Sequence, residues 1–237
     1  IVVSTGAKQS IANVMLSILD DDDEIIIPTP YWVSYSEIAR LGRGKVVFVN
    51  TTPDTGFKLT PDELEAAITA KTKLFIFSSP CNPTGAVYTK NELEGLAKVF
   101  QKYPGIFIIS DEIYEYINYA HGEGGGHQSI AQFDYLVDRI IIVNGLSKGF
   151  AMTGWRVGYI AAPLEIAKAC EKIQGQFTSG TNSIAQRAAI AALDSPLSAT
   201  YEMVREFKLR KQRVIELLKE IPALKFVEPD GAFYISP

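Results

Sequence analysis

The sequence predicts an α/β fold of three layers, with helices on both faces of a mostly parallel seven-stranded sheet, and after it the beginning of a smaller α+β domain. Three observations carry this expectation. Short, β-branched apolar runs alternate with stretches in which apolar residues recur every three or four positions, the pattern of consecutive βαβ units. Seven such runs precede Pro163. Beyond Pro163 the periodicity becomes almost wholly helical, so the sheet is expected to be complete by then. The large domain is placed at 1–195, and 196–237 is read as a connecting helix and the start of the smaller domain.

Taken in order, Ile1–Ser4 is a short strand, and Ile11, Val14, Met15, Ile18 and Leu19 mark one face of a helix. Glu24–Ile27 is a strand, Val33–Leu41 a helix and Lys45–Val49 a strand. Thr60-Pro61-Asp62-Glu63 starts the next helix. Thr serves as the cap, Pro fits the first turn, and the two acids face the positive end of the helix dipole. Lys73–Ser78 is a buried type of strand and Lys90–Tyr103 an amphipathic helix. Ile106–Ser110, Arg139–Val143 and Val157–Ala161 complete the strands of the sheet. Helices follow at Leu164–Gln174, Ser183–Leu193 and Leu197–Glu220, and Leu224–Val227 and Ala232–Ile235 are read as strands.

Composition narrows the function classes. The net charge of -4 argues against nucleic acid or an anionic membrane as partner. No apolar run reaches the length of a membrane span. Two distant cysteines, Cys81 and Cys170, form neither a metal spacing nor a disulfide framework, which points to a reducing, cytoplasmic setting. With only two histidines, His121 and His127, a His-based metal centre or a Ser-His-Asp triad is disfavoured. Those histidines bound a glycine-rich stretch read as a flexible loop without chemistry. Asp20-Asp21-Asp22-Asp23-Glu24 is read as a solvated turn rather than a metal site. The chain opens inside an apolar run and closes on one, so it is expected to be a piece of a longer protein.

The chemistry concentrates around Lys148, in Gly145-Leu146-Ser147-Lys148-Gly149. A lysine becomes nucleophilic when its ammonium is desolvated or crowded by other cations. Ser147 beside it and Arg156, in Thr153-Gly154-Trp155-Arg156-Val157-Gly158, can hold a phosphate. An amine next to a phosphate cradle suits pyridoxal 5'-phosphate (PLP), which offers an aldehyde and an anionic handle. Gly6-Ala7-Lys8, between a strand and a helix, adds a possible anion site at a helix N-terminus. Trp32, just after a strand, could stack on a flat ring or simply fill a core. Ser79-Pro80-Cys81-Asn82-Pro83-Thr84-Gly85 is a stiff loop that aims the Asn82 amide, or an ordinary turn. In Ser110-Asp111-Glu112-Ile113-Tyr114 the acid Asp111 could cap a helix or hold a pyridine nitrogen protonated, with Tyr114 on the same face if a helical turn follows.

These segments, with Pro30-Tyr31-Trp32-Val33-Ser34-Tyr35 and Asn144-Gly145-Leu146-Ser147-Lys148, come in an order and spacing that resemble the class I/II, fold type I, PLP-dependent aminotransferases. The resemblance is to the bacterial aspartate aminotransferase branch and runs over essentially the whole chain. It implies the PLP-transferase major domain and a set of roles. Lys148 would condense with the cofactor aldehyde and then shuttle the substrate proton. Asp111 would pair with the ring nitrogen, Tyr114 and Asn82 would bond the ring's 3'-oxygen, and Trp32 would stack on the ring. Ser147, Arg156, Gly6, Ala7 and Lys8 would form the phosphate side, and Asn82 and Trp32 would also meet substrate. The substrates implied are an amino acid, aspartate, and a 2-oxo acid, 2-oxoglutarate, in a homodimer. Aromatic or alanine donors, or a non-catalytic PLP-binding regulatory domain, stay open as alternatives. Members of that family are longer at both ends and carry a carboxylate-binding arginine beyond the point matching Pro237. The 237-residue chain is therefore expected to transaminate poorly by itself.

Overall fold

The structure is a computed structural model that describes residues 1–119 and 126–236. The expected runs before Pro163 form strands β1 (Val2–Ser4), β2 (Glu24–Thr29), β3 (Lys45–Asn50), β4 (Thr72–Ser78), β5 (Phe107–Asp111), β6 (Ile140–Gly145) and β7 (Gly158–Ala161). Helices α1 (Ala7–Ile18), α2 (Ser34–Leu41), α3 (Pro61–Ala67) and α4 (Lys90–Lys102) alternate with them. Helices α5 (Leu164–Phe177), α6 (Ser183–Asp194) and α7 (Ser198–Lys219) follow. Thr60 caps α3 as expected, in a reciprocal box with Glu63, and Thr89 with Glu92 does the same for α4. No helix among the described residues is long and apolar enough to cross a membrane.

The strands form one sheet in the order β1-β7-β6-β5-β4-β2-β3. Neighbours from β3 to β6 pair in parallel, and β7 is antiparallel to both β6 and β1. Only β7 therefore runs against the rest. Its first residue, Gly158, lies opposite Gly145 at the end of β6 and Ser4 at the end of β1. The carboxyl ends of the other six strands and the start of β7 thus share one edge, where parallel α/β sheets place their sites.

Alternation along each strand divides the core between two faces. Ile25 and Ile27, Leu74 and Ile76, Ile109, Ile141 and Val143 pack under α1, α2 and α5, against Ile11, Val14, Met15, Ile38 and Cys170. Their neighbours Ile26, Phe75, Phe77, Ile108 and Ile140 pack under α3 and α4, against Leu64, Leu93, Leu96 and Phe100. Near-continuous apolar strands are what a sheet covered on both sides requires.

Two expectations fail. Leu224–Val227 and Ala232–Ile235 are not strands; the only bridge there joins Gly231 to Asn118 among the described residues. A strand needs a ladder partner, and this segment bonds to loops instead. Asp230 and Gly231 donate to the Gly85 carbonyl, Ala232 donates to Ile117, and Asp230 accepts from Tyr119. Of the glycine-rich stretch, 120–125 fall outside the described residues. His127 is described and does have a partner: its Nε2 lies 2.9 Å from Glu112 Oε2. The aspartate run after α1 is an exposed turn, with Arg43 on Asp20 and Asp21 and Lys71 near Asp22.

Candidate active site

All of the expected site residues except Gly6 line one cavity of about 270 Å³ at the common strand edge. Ala7 and Lys8 come from the first turn of α1, Trp32 from the turn after β2, and Asn82 from the loop after β4. Asp111 ends β5, Tyr114 follows it, Ser147 and Lys148 follow β6, and Arg156 precedes β7. Because β7 is antiparallel, the chain leaves the sheet at Lys148 and re-enters it beside Arg156 at the same edge.

Gly6 completes the anion side from just outside the lining. It sits at the N-cap of α1 with φ +87°, and a Cβ there would fall 2.3 Å from Arg156 Nη2. The guanidinium therefore lies across bare backbone at the helix N-terminus, where first-turn N–H groups lack intrahelical acceptors. At Gly158 a Cβ would fall 2.2 Å from the Ala7 nitrogen, so β7 also presses against this turn. Arg156 is held by a 2.8 Å bond from Nη1 to the Thr153 carbonyl. Arginine, hydroxyl and helix N-terminus together fit a phosphate.

Lys148 faces this cluster. Burial lowers the pKa of its amine, the charge of Arg156 lowers it further, and Asp111 opposes both. Its Nζ lies 5.6 Å from the Tyr114 ring centroid and 5.4 Å from that of Phe233. An amine so placed is biased toward the neutral, nucleophilic form.

Asp111 is buried, and desolvation pushes its pKa up to about 6. Tyr35, which donates to Oδ2 at 2.6 Å, and the Ile113 amide, 3.3 Å from Oδ1, oppose that rise. Glu112 adds to it and Lys148 offsets it. A buried carboxylate with so little compensation gains most from a cationic N–H brought into the cavity. Tyr114 pairs with the Tyr234 hydroxyl at 2.6 Å, and burial raises its pKa. The turn after β5 is not a helix: Glu115 bonds back to Glu112 and Ile117 to Tyr114 in tight turns. Trp32 meets Tyr35 edge-on at 5.5 Å, and Lys8 Nζ sits 4.9 Å from the indole. The donor set thus matches PLP group by group: amine for aldehyde, carboxylate for pyridine nitrogen, and arginine with helix N-terminus for phosphate.

Residues 1–236 match the family described as aminotransferase class I and II. The chain belongs to this family. It is 47% identical over 240 residues to the bifunctional aspartate aminotransferase and glutamate/aspartate-prephenate aminotransferase of Petunia hybrida, covering 99% of this chain and 49% of that protein. It is 45% identical over 238 residues to the aspartate aminotransferase of Bacillus subtilis, covering 100% of this chain and 60% of the relative. The crystal structure of the aspartate aminotransferase from Rhizobium meliloti superposes with a TM-score of 0.95 at 41% identity, over 98% of this chain and 58% of that one. This aminotransferase-family chain thus spans roughly half to six tenths of these relatives.

Sequence reasoning missed Tyr35, Ser78, Ile113, Thr153 and Tyr234, which also line the cavity. Tyr35 stood three residues beyond Trp32, a helical spacing that places both on one side of a turn. Nothing local marked Tyr234, whose partner Tyr114 lies 120 residues away.

Proposed function

We propose that the complete protein is a PLP-dependent aminotransferase that moves an amino group from aspartate to a 2-oxo acid, 2-oxoglutarate. The observation that carries this reading is the placement of a pKa-lowered lysine, Lys148, between a buried carboxylate, Asp111, and an arginine at a helix N-terminus, Arg156. The names of the Bacillus subtilis and Rhizobium meliloti relatives support the aspartate assignment. The name of the Petunia hybrida relative supports prephenate as a second acceptor.

PLP, when bound, supplies an electron sink that makes the substrate Cα proton acidic. The chain's residues do the rest. Lys148 would hold the cofactor through its amine and would serve as the base and then the acid for the substrate Cα proton. Asp111 would accept from the pyridine N–H and keep that proton in place. Arg156, Ser147 and the amides of Ala7 and Lys8, next to Gly6, would grip the phosphate. Trp32 would cover a ring face, and Asn82 and Tyr114 would bond the 3'-oxygen. With Lys148 and Arg156 so used, Lys8 is the remaining cation lining the cavity and is assigned to a substrate carboxylate, which favours a dicarboxylic donor.

With a division at 195/196, the residues assigned to the cofactor belong to the large domain, Tyr234 reaches the cavity from the segment after it, and a second copy of the chain completes the assembly. Phe177, Ile184, Ile190 and Leu193, exposed near the end of α5 and along α6, support such a partner. The test is borohydride reduction of the full-length protein with PLP, followed by peptide mapping and an amino-donor screen. A pyridoxyl label on Lys148 and fastest turnover with aspartate are expected. Absence of the label would sink the reading.

A further inference from the structure

Asp111 can hold a proton on a ring nitrogen only if it is ionised and if one carboxylate oxygen faces the cavity. Neither condition is met by burial, which favours the neutral acid. The two groups that bond the carboxylate are unequal. The Ile113 amide is 3.3 Å from Oδ1, whereas the Tyr35 hydroxyl is 2.6 Å from Oδ2. Tyr35 is only 2% exposed, and Ser78, at the end of β4, lines the same cavity. Ser78 and Asp111 are cross-strand partners in the β4–β5 register. The Tyr35 hydroxyl therefore ties α2 to the end of β5. The Tyr35 ring is itself held edge-on by Trp32.

We propose that Tyr35 is the positioning residue for Asp111: its hydroxyl ties down Oδ2, leaves Oδ1 turned to the cavity, and favours the ionised carboxylate. This rests on the reading of the cavity as a PLP site. Tyr35 also lines the cavity and meets Trp32 edge-on, and its hydroxyl is committed to Asp111. The other titratable groups near this pair are Glu112 beside Asp111, Lys148 and Tyr114 across the cavity, and Cys81 beside Tyr35.

Tyr35→Phe keeps the ring and its contact with Trp32 and removes only the donor. PLP dissociation constants of the full-length protein are measured for wild type, Tyr35→Phe, Asp111→Asn and the double variant. A charged acceptor that loses its best donor should weaken binding about tenfold. In the Asp111→Asn background the same change should cost less than about twofold, because no charge remains to be positioned. Equal loss in both backgrounds, or no loss in either, overturns the proposal and leaves Tyr35 a packing residue. A second readout needs no cofactor. Carboxyl-carbon NMR of the ligand-free protein should show Asp111 titrating at higher pH in Tyr35→Phe than in wild type. An unchanged titration overturns the proposal. If wild type binds no PLP at all, the cofactor reading fails on its own, and the NMR comparison still decides whether Tyr35 governs this carboxylate.

Discussion

Asp111 and Glu112 are adjacent, acidic and almost fully buried, yet they live in different surroundings. Glu112 does not line the cavity, and both of its carboxylate oxygens have side-chain partners. Ser110 and Ser129 donate to Oε1 at 2.9 and 2.6 Å, and His127 Nε2 sits 2.9 Å from Oε2. Asp111 faces the cavity with one strong donor and one weak one. A carboxylate whose lone pairs are filled serves as an anchor, here fastening the segment at Ser129 to the end of β5. One left short of donors is held in readiness for a ligand. The contrast locates function through an electrostatic deficit, without reference to any motif.

Experiments can break or sharpen this contrast. The largest effect is expected on the cavity side. Lys148→Ala in the full-length protein should remove the borohydride label and lower turnover by about 10⁴-fold or more, read by single-turnover absorbance and steady-state assay. Next comes the anchor. Glu112→Ala takes the acceptor from buried Ser110 and from half-buried Ser129 and His127 and should destabilise the chain by about 3 kcal/mol, measured by urea unfolding. Were Glu112→Ala to unfold no more readily than wild type, the division between anchor and acceptor would be wrong.

Asp111→Asn should act in the opposite direction on the ligand-free protein. Its folded pKa of about 6 lies above the ordinary 3.8, so the folded state holds more protons between those values. The ionised carboxylate therefore opposes folding fully above pH 6 and not at all below pH 4. Replacing it with Asn should stabilise the empty protein by on the order of 2–3 kcal/mol at pH 7.5, a gain that fades as pH falls through that window. Thermal melts at pH 7.5 and 4.5 check the sign. The smallest effect is a control far from both acids. Thr89→Ala removes one half of the α4 capping box and should cost about 1 kcal/mol at pH 7.5.

Much of this was legible in the linear chain, for identifiable reasons. The strands could be read because a sheet covered on both faces needs unbroken apolar runs, and Ile25-Ile26-Ile27 or Leu74-Phe75-Ile76-Phe77 supply them. The site could be read because each of its residues directly follows or ends a strand, or precedes β7, and a parallel sheet gathers those positions at one edge. Tyr35 on Asp111 and Tyr234 on Tyr114 are pairings 76 and 120 residues apart that no local spacing announces. Leu224–Val227 and Ala232–Ile235 misled for a related reason. Alternation shows that a segment could be a strand, but only the surrounding chain supplies a ladder, and here Leu224 bonds back to Ile221 while Asp230, Gly231 and Ala232 bond with Gly85, Ile117 and Tyr119.

The reversed direction of β7 has a consequence for engineering. The amine and the guanidinium hang from one connection, between Gly145 and Gly158, so they cannot be retuned separately by altering its length. An insertion near Gly149 would shift nucleophile and anion clamp together, whereas a bulkier residue at Gly6 would disturb the clamp alone. A designer wishing to loosen the phosphate grip without touching the lysine has the opposite strand end, not this loop, to work with.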